Sequence, residues 1–196
     1  MVSSEDALSL YRCGYIKFEP ELTTAITEFV NDDCAERGLD MAEISVIDGA
    51  KLQAAPQPLK DALDMCEAMF GLPAADALLV YCEWTWAHAD IDYRNSMFVS
   101  VVLATGPQPY CIQALQTGAK RGEDILDTKR ICSVGDVIVL DPCVAHMAAP
   151  AIPNNEALLV LAQWAIAAPT EEAREAVRRR FSPLSYDRHQ SSLIDL

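Results

Sequence analysis

Three histidines are present in the chain, and two of them sit beside residues that could share a metal ion with them. His88 and Asp90 flank a single alanine in the run Trp84-Thr85-Trp86-Ala87-His88-Ala89-Asp90. Side chains alternate along a strand, so positions two apart point the same way, and this pair is expected to project together from a strand end. His146, 58 residues after His88, follows Gly135-Asp136, the apolar run Val137-Ile138-Val139-Leu140 and an Asp141-Pro142 turn. There the chain can fold back to supply a third ligand. Two imidazoles and a carboxylate on one face of a divalent ion leave its opposite face open to small molecules.

The elements needed to hold such a triad are legible further along the chain. Ser3 and Ser4 before Glu5 and Asp6 predict a short helix to about Arg12, then a strand at Tyr15-Ile16-Lys17-Phe18. Pro20 suits a first helical position, and Leu22, Ile26, Phe29 and Val30 repeat at helical spacing up to Gly38. A short strand is expected over residues 44–47 and a loop over 48–58. A second amphipathic helix carries Leu59, Leu63, Cys66 and Phe70 and stops at Gly71 and Pro73.

From residue 77 the texture changes. Runs at 78–86, 97–104, 110–116, 137–140 and 158–166 read as strands, most of them separated by Gly, Pro or Asn turns. A final helix starts near Thr170-Glu171-Glu172 and ends at Arg178-Arg179-Arg180, where the positive charges complement the helix dipole. Helices first and strands afterwards predict an α+β protein, and the evenly spaced strands suit a jelly roll of two facing antiparallel sheets. A chain of 196 residues fits one domain. Within it, residues 1–76 are expected to form a mainly helical cap, 77–167 the jelly-roll core, and 168–196 a helix and tail.

Composition narrows the function. A hydrophobic fraction of 51% and a charged fraction of 22% are those of an ordinary folded protein. The net charge of −14 argues against a nucleic-acid backbone or an anionic membrane surface as partner, and favours a neutral or cationic substrate. Seven cysteines occur without a Cys-x-x-Cys pair, a pattern of reduced, buried thiols in a cytoplasm. No basic, apolar leader opens the sequence, so cytoplasmic is the expected location. No pattern specifies an oligomeric state.

With these residues in place, the chain resembles the Fe(II)- and 2-oxoglutarate-dependent dioxygenase superfamily, the double-stranded β-helix oxygenases. The resemblance covers roughly residues 77–167 and rests on His88-Ala89-Asp90, the Gly135-Asp136 turn with its apolar strand, and His146. It implies that His88, Asp90 and His146 hold Fe(II), that 2-oxoglutarate is the co-substrate, and that a small-molecule or peptide substrate is hydroxylated. Members grip the far carboxylate of 2-oxoglutarate with an Arg or Lys beyond the distal His, because a cation in a dry site suits a carboxylate. Residues 152–166 contain neither.

Arg94, four residues after Asp90, and Gln163, the one amide in the last apolar strand, are the candidates for that anchor. A solvated surface charge is the alternative for Arg94, as it is for Lys120, Arg121, Lys129 and Arg130. Trp84 and Trp86 share parity with His88 and are candidate substrate contacts, with core packing the alternative. Tyr93 is a candidate contact by position, and Tyr81, of opposite parity, is expected to face outward. Two other readings stay open: a cupin-like metal enzyme that does not use 2-oxoglutarate, and a non-catalytic jelly-roll binding module.

Overall fold

A computed structural model describes residues 10–38, 45–82, 88–115, 126–152 and 157–181. The fold is α+β, with nine strands in two antiparallel sheets and four helices among the described residues. The larger sheet has the order β1-β7-β4-β9-β3-β2. Its strands are β1 (Leu10–Tyr15), β2 (Ser45–Asp48), β3 (Ala77–Tyr81), β4 (Ser96–Gly106), β7 (Asp136–Leu140) and β9 (Leu158–Ala167). The smaller sheet runs β6-β5-β8, from β5 (Tyr110–Leu115), β6 (Leu126–Cys132) and β8 (His146–Pro150).

Alternation along the larger sheet builds two cores. Met97, Val99 and Val101 of β4, Val137 and Val139 of β7, and Val160, Ala162 and Trp164 of β9 pack with the helices. Phe98 and Val102, Ile138 and Leu140, and Leu159 and Leu161 have the other parity. They pack with Tyr110, Ile112, Cys132 and Ala148 of the smaller sheet. These strands are buried on both faces, which is why they read as continuous apolar runs.

The helix layer follows its capping signals. Helix α1 (Pro20–Arg37) starts on a proline, whose missing N–H costs nothing there, and ends at Gly38 with φ +63°. It buries Leu22, Ile26 and Val30. Asp33 is buried on the same helix between Arg37 and Lys51, each of which forms an ion pair with it. Helix α3 (Gln57–Phe70) buries Leu59, Leu63, Cys66 and Phe70 and ends at Gly71 with φ +60°. Helix α4 (Glu171–Phe181) closes the layer: Phe181 meets Phe70 edge-on at 5.4 Å, and Phe70 meets Trp164 at 5.8 Å. Phe181→Ala removes the end of that aromatic chain. It is expected to lower stability by about 3–5 kcal/mol in urea unfolding followed by Trp fluorescence.

Several expectations need correction. The first strand is Leu10–Tyr15, ahead of the expected Tyr15–Phe18; it takes in the end of the expected short helix, the rest of which lies outside the described residues. Pairing with β7, which local pattern does not reveal, selects that register, with an irregularity between Arg12 and Gly14. The 48–58 loop contains a one-turn helix, α2 (Gly49–Leu52), nucleated when the Asp48 carboxylate accepts the Lys51 N–H at 3.0 Å. Strands β6 and β8 were not expected. The sequence of β6, LDTKRIC, is too polar, and that of β8, HMAAP, too alanine-rich for pattern to find. The first 76 residues also supply both outer strands of the larger sheet, β1 and β2. Among the described residues no helix is long and apolar enough to cross a membrane.

Candidate metal centre and cavity

Backbone pairing brings the two distant segments together. His88 and His146 form an isolated antiparallel bridge: His88 N–H donates to the His146 carbonyl at 2.9 Å, and His146 N–H to the His88 carbonyl at 2.8 Å. Directly opposed residues of an antiparallel pair project to the same side, so both imidazoles face one space, with ring centroids 4.6 Å apart. A further backbone bond, Asp90 N–H to the Pro142 carbonyl at 2.8 Å, ties the acid to the turn that precedes His146. Asp90 leads directly into a 3-10 turn, Ile91–Tyr93. The pair His88 and Asp90 is therefore positioned by cross-chain pairing and a turn, where the end of one regular strand was expected. Residues 83–87, which include Trp84 and Trp86, lie outside the described residues.

One ligand atom from each of His88, Asp90 and His146 lies within 4.8 Å of the others. Asp90 faces both rings, with its Oδ1 3.8 Å from His88 Nε2 and its Oδ2 3.5 Å from His146 Nε2. His146 Nδ1 stands 2.9 Å from the Val144 carbonyl. A proton on Nδ1 donating there leaves the Nε2 lone pair directed at Asp90, the tautomer a metal ligand requires. Burial lowers the His146 pKa, outweighing the Val144 hydrogen bond and the Asp90 charge that raise it, and this keeps the ring neutral. The His146 side chain is 9% exposed, against 38% for His88 and 30% for Asp90, so an ion here would have one deep and two accessible ligands. The donor set fits a divalent transition ion with open coordination positions.

The triad borders a cavity of about 460 Å³ lined by residues of both sheets. Its walls are largely apolar, with Leu79, Phe98, Ile112, Ile138, Leu140 and Leu161 prominent. Tyr81, expected to face outward, lines the cavity instead, beside Tyr110 at 6.3 Å. Parity counted back from His88 fails because β3 ends at Tyr81 and His88 pairs with the smaller sheet. Burial, and after it the nearby Asp90 and Cys132, push the Tyr81 phenol above its ordinary pKa, so it stays a protonated donor. No sequence signal marked it, since its role depends on how the sheets face each other.

The remaining candidates divide. Tyr93 lines the cavity mouth, half exposed, with its ring 5.1 Å from Phe98. Gln163 lines the cavity from the centre of the larger sheet. Arg94 is exposed and outside the lining, and its carbonyl, not its guanidinium, is engaged, accepting from Arg174. Lys129 and Arg130 lie on β6, while Lys120 and Arg121 fall outside the described residues. Among the described side chains that line the cavity, Asp48, Asp76 and Asp90 carry charge and no Lys or Arg does. That lining fits the metal and offers the far carboxylate of 2-oxoglutarate no cation.

Sequence reasoning also missed Ser100. It is the Cα partner of Gln163 across β4 and β9, it lines the cavity, and it is only 5% exposed. Neither the Ser100 hydroxyl nor the Gln163 amide has a hydrogen-bond partner among the described residues. Both line the cavity, where water or a ligand can satisfy them.

No protein-family model matches the chain, and no curated protein sequence matches it. Solved structures do. The non-haem alpha ketoglutarate dependent carbocyclase SnoK from nogalamycin biosynthesis superposes with a TM-score of 0.53 at 12% identity, over 90% of each chain. EvdMO1 gives 0.50 at 15% identity, over 83% of this chain and 48% of that one. The non-haem alpha ketoglutarate dependent epimerase SnoN gives 0.48 at 11%, over 81% and 78%. At these identities the likeness is one of fold, shared with SnoK over 90% of the chain.

Proposed function

We propose that this protein is a non-haem Fe(II) oxygenase of the double-stranded β-helix type, acting in the cytoplasm on a small-molecule or peptide substrate. The observation that carries the reading is the convergence of His88, Asp90 and His146 within 4.8 Å at the edge of a largely apolar cavity. The strand orders of the two sheets and the shared architecture with SnoK support the jelly-roll scaffold. When bound, Fe(II) would supply O2 activation for oxidising a substrate C–H bond. The chain's own residues hold and orient: Val144 fixes the His146 ring, Asp90 bridges toward both imidazoles, and Tyr81 presents a neutral O–H to the cavity.

Use of 2-oxoglutarate is the co-substrate reading that the resemblance and the SnoK fold suggest. One observation favours a second reading, a cupin-like metal enzyme without 2-oxoglutarate: among the described side chains the cavity offers three carboxylates and no cation. Anaerobic titration with Fe(II) and then 2-oxoglutarate separates them. Stoichiometric iron uptake followed by a weak visible charge-transfer band is expected for the first. Iron uptake with no band selects the second. No uptake, with His88→Ala indistinguishable from the parent protein, would leave only a binding module.

A further inference from the structure

The polar groups of the larger sheet's cavity face form a line. In register across neighbouring strands stand five residues, Asp48, Ala77, Gln163, Ser100 and Ile138, and beyond them Arg12 of β1. All five line the cavity. Asp48 sits at the exposed edge on β2, while Gln163 and Ser100 lie on the two central strands, inside the apolar walls. Ser100 is nine-tenths buried, and no described residue satisfies its hydroxyl or the Gln163 amide beside it. Two adjacent unsatisfied polar groups in an apolar wall mark a place where a ligand's hydrogen-bonding group belongs.

We propose that Ser100 and Gln163 form a recognition subsite for one uncharged hydrogen-bonding group, an amide or a hydroxyl, on an otherwise apolar ligand. The inference rests on the cavity being the substrate chamber of the enzyme proposed above, and it names the class of molecule that chamber takes. The charges of the described lining disfavour the alternatives. An anionic group placed here would be desolvated among the carboxylates of Asp48, Asp76 and Asp90, with no Lys or Arg among the described lining side chains. A cationic group would have to turn to Asp90 of the triad or to Asp48 or Asp76, both exposed at the rim and each already taking a backbone N–H, from Lys51 and Ala165 respectively. Asp48 is two strands from Gln163, roughly 10 Å at ordinary strand spacing, too far to pair with a group bound at the centre. Asp76 is next to Gln163, its N–H donating to the Gln163 carbonyl at 3.0 Å, and its carboxylate is taken up by the Ala165 N–H. A hydroxyl or amide can both donate to and accept from Ser and Gln, and leaves nothing charged behind.

The test uses the full chain without metal, so that it does not depend on the triad. Hexanamide, hexan-1-ol, hexanoate and hexylamine share one apolar body and differ in the head group, and their binding is measured by ligand-observed NMR at neutral pH. Hexanamide and hexan-1-ol are expected to bind about tenfold tighter than hexanoate and hexylammonium. Gln163→Met, close in shape, and Ser100→Ala should each shrink that difference, and the double variant should abolish it. If the double variant does not fold, the two single variants decide the matter. Hexanoate or hexylammonium binding as tightly as hexanamide, or an amide preference that survives Gln163→Met and Ser100→Ala, overturns the proposal. Metal uptake is titrated separately, so a failed triad with intact head-group selection, or the reverse, tells the two proposals apart.

Discussion

His146→Ala is expected to abolish divalent-ion uptake while leaving the fold in place. The residue contributes the most buried of the three donors, its Nδ1 is already committed to Val144, and among the described residues His88, Asp90 and His146 are the group that could hold an ion. The bridge to His88 is made by backbone atoms and survives the substitution. Losing an outer-shell partner of a metal ligand typically costs about 10–100-fold in affinity, so deleting the ligand itself should cost more than about a hundredfold. Mn(II) titration read by electron paramagnetic resonance, with far-ultraviolet circular dichroism as the fold control, makes the comparison. Unchanged Mn(II) affinity in a folded His146→Ala protein would remove the metal centre altogether. Asp90→Asn is the companion: it keeps the shape between the two rings and removes the charge they face.

Arg174→Ala is expected to cost about 3–5 kcal/mol of stability, the usual consequence of removing one partner from a buried ion pair. Arg174, on α4, is buried, and its guanidinium pairs with Asp141, whose side chain is itself only 13% exposed. The same guanidinium donates to the carbonyl of Arg94. One side chain thus ties the last helix to the turn that leads into His146 and to the segment that follows Asp90. Without it the Asp141 carboxylate keeps the Cys143 N–H at 2.9 Å and loses its counter-charge. Arg174→Lys should recover only part of the loss, because a single ammonium lacks the planar fork that reaches both acceptors. Urea denaturation gives the magnitude. A loss below about 1 kcal/mol would mean that the pair behaves as a solvated surface contact.

The helices were legible because their information is local. Helices α1 and α3 carry period-3.6 apolar positions between a proline and a glycine, and the structure ends both on that glycine at positive φ. The apolar strands β4, β7 and β9 were legible because they are buried on both faces. The triad could be named because histidines are scarce here and the flanking residues read as strand and turn. What stayed hidden depends on register between distant segments. Tyr81 faces the cavity because two sheets face each other, and Ser100 meets Gln163 only once β4 pairs with β9. Strand β6 carries charged and polar residues, and only its pairing with β5 makes it a strand. Arg94 stood as a candidate for its place four residues after Asp90, and the 3-10 turn between them ends the strand alternation that would carry it to the cavity.

Because the central strands of the larger sheet send neighbouring residues into different compartments, the same ladder serves two independent ends. Met97, Val99 and Val101 hold the helices, and Phe98, Ser100 and Val102 line or back the chamber. Natural or laboratory diversification confined to the second set, with its counterparts Ile138, Leu161 and Gln163, can therefore reshape what the chamber accepts without touching the helix interface. One scaffold of this kind is free to serve many molecules, and a shift in its preferences needs only every other residue to change.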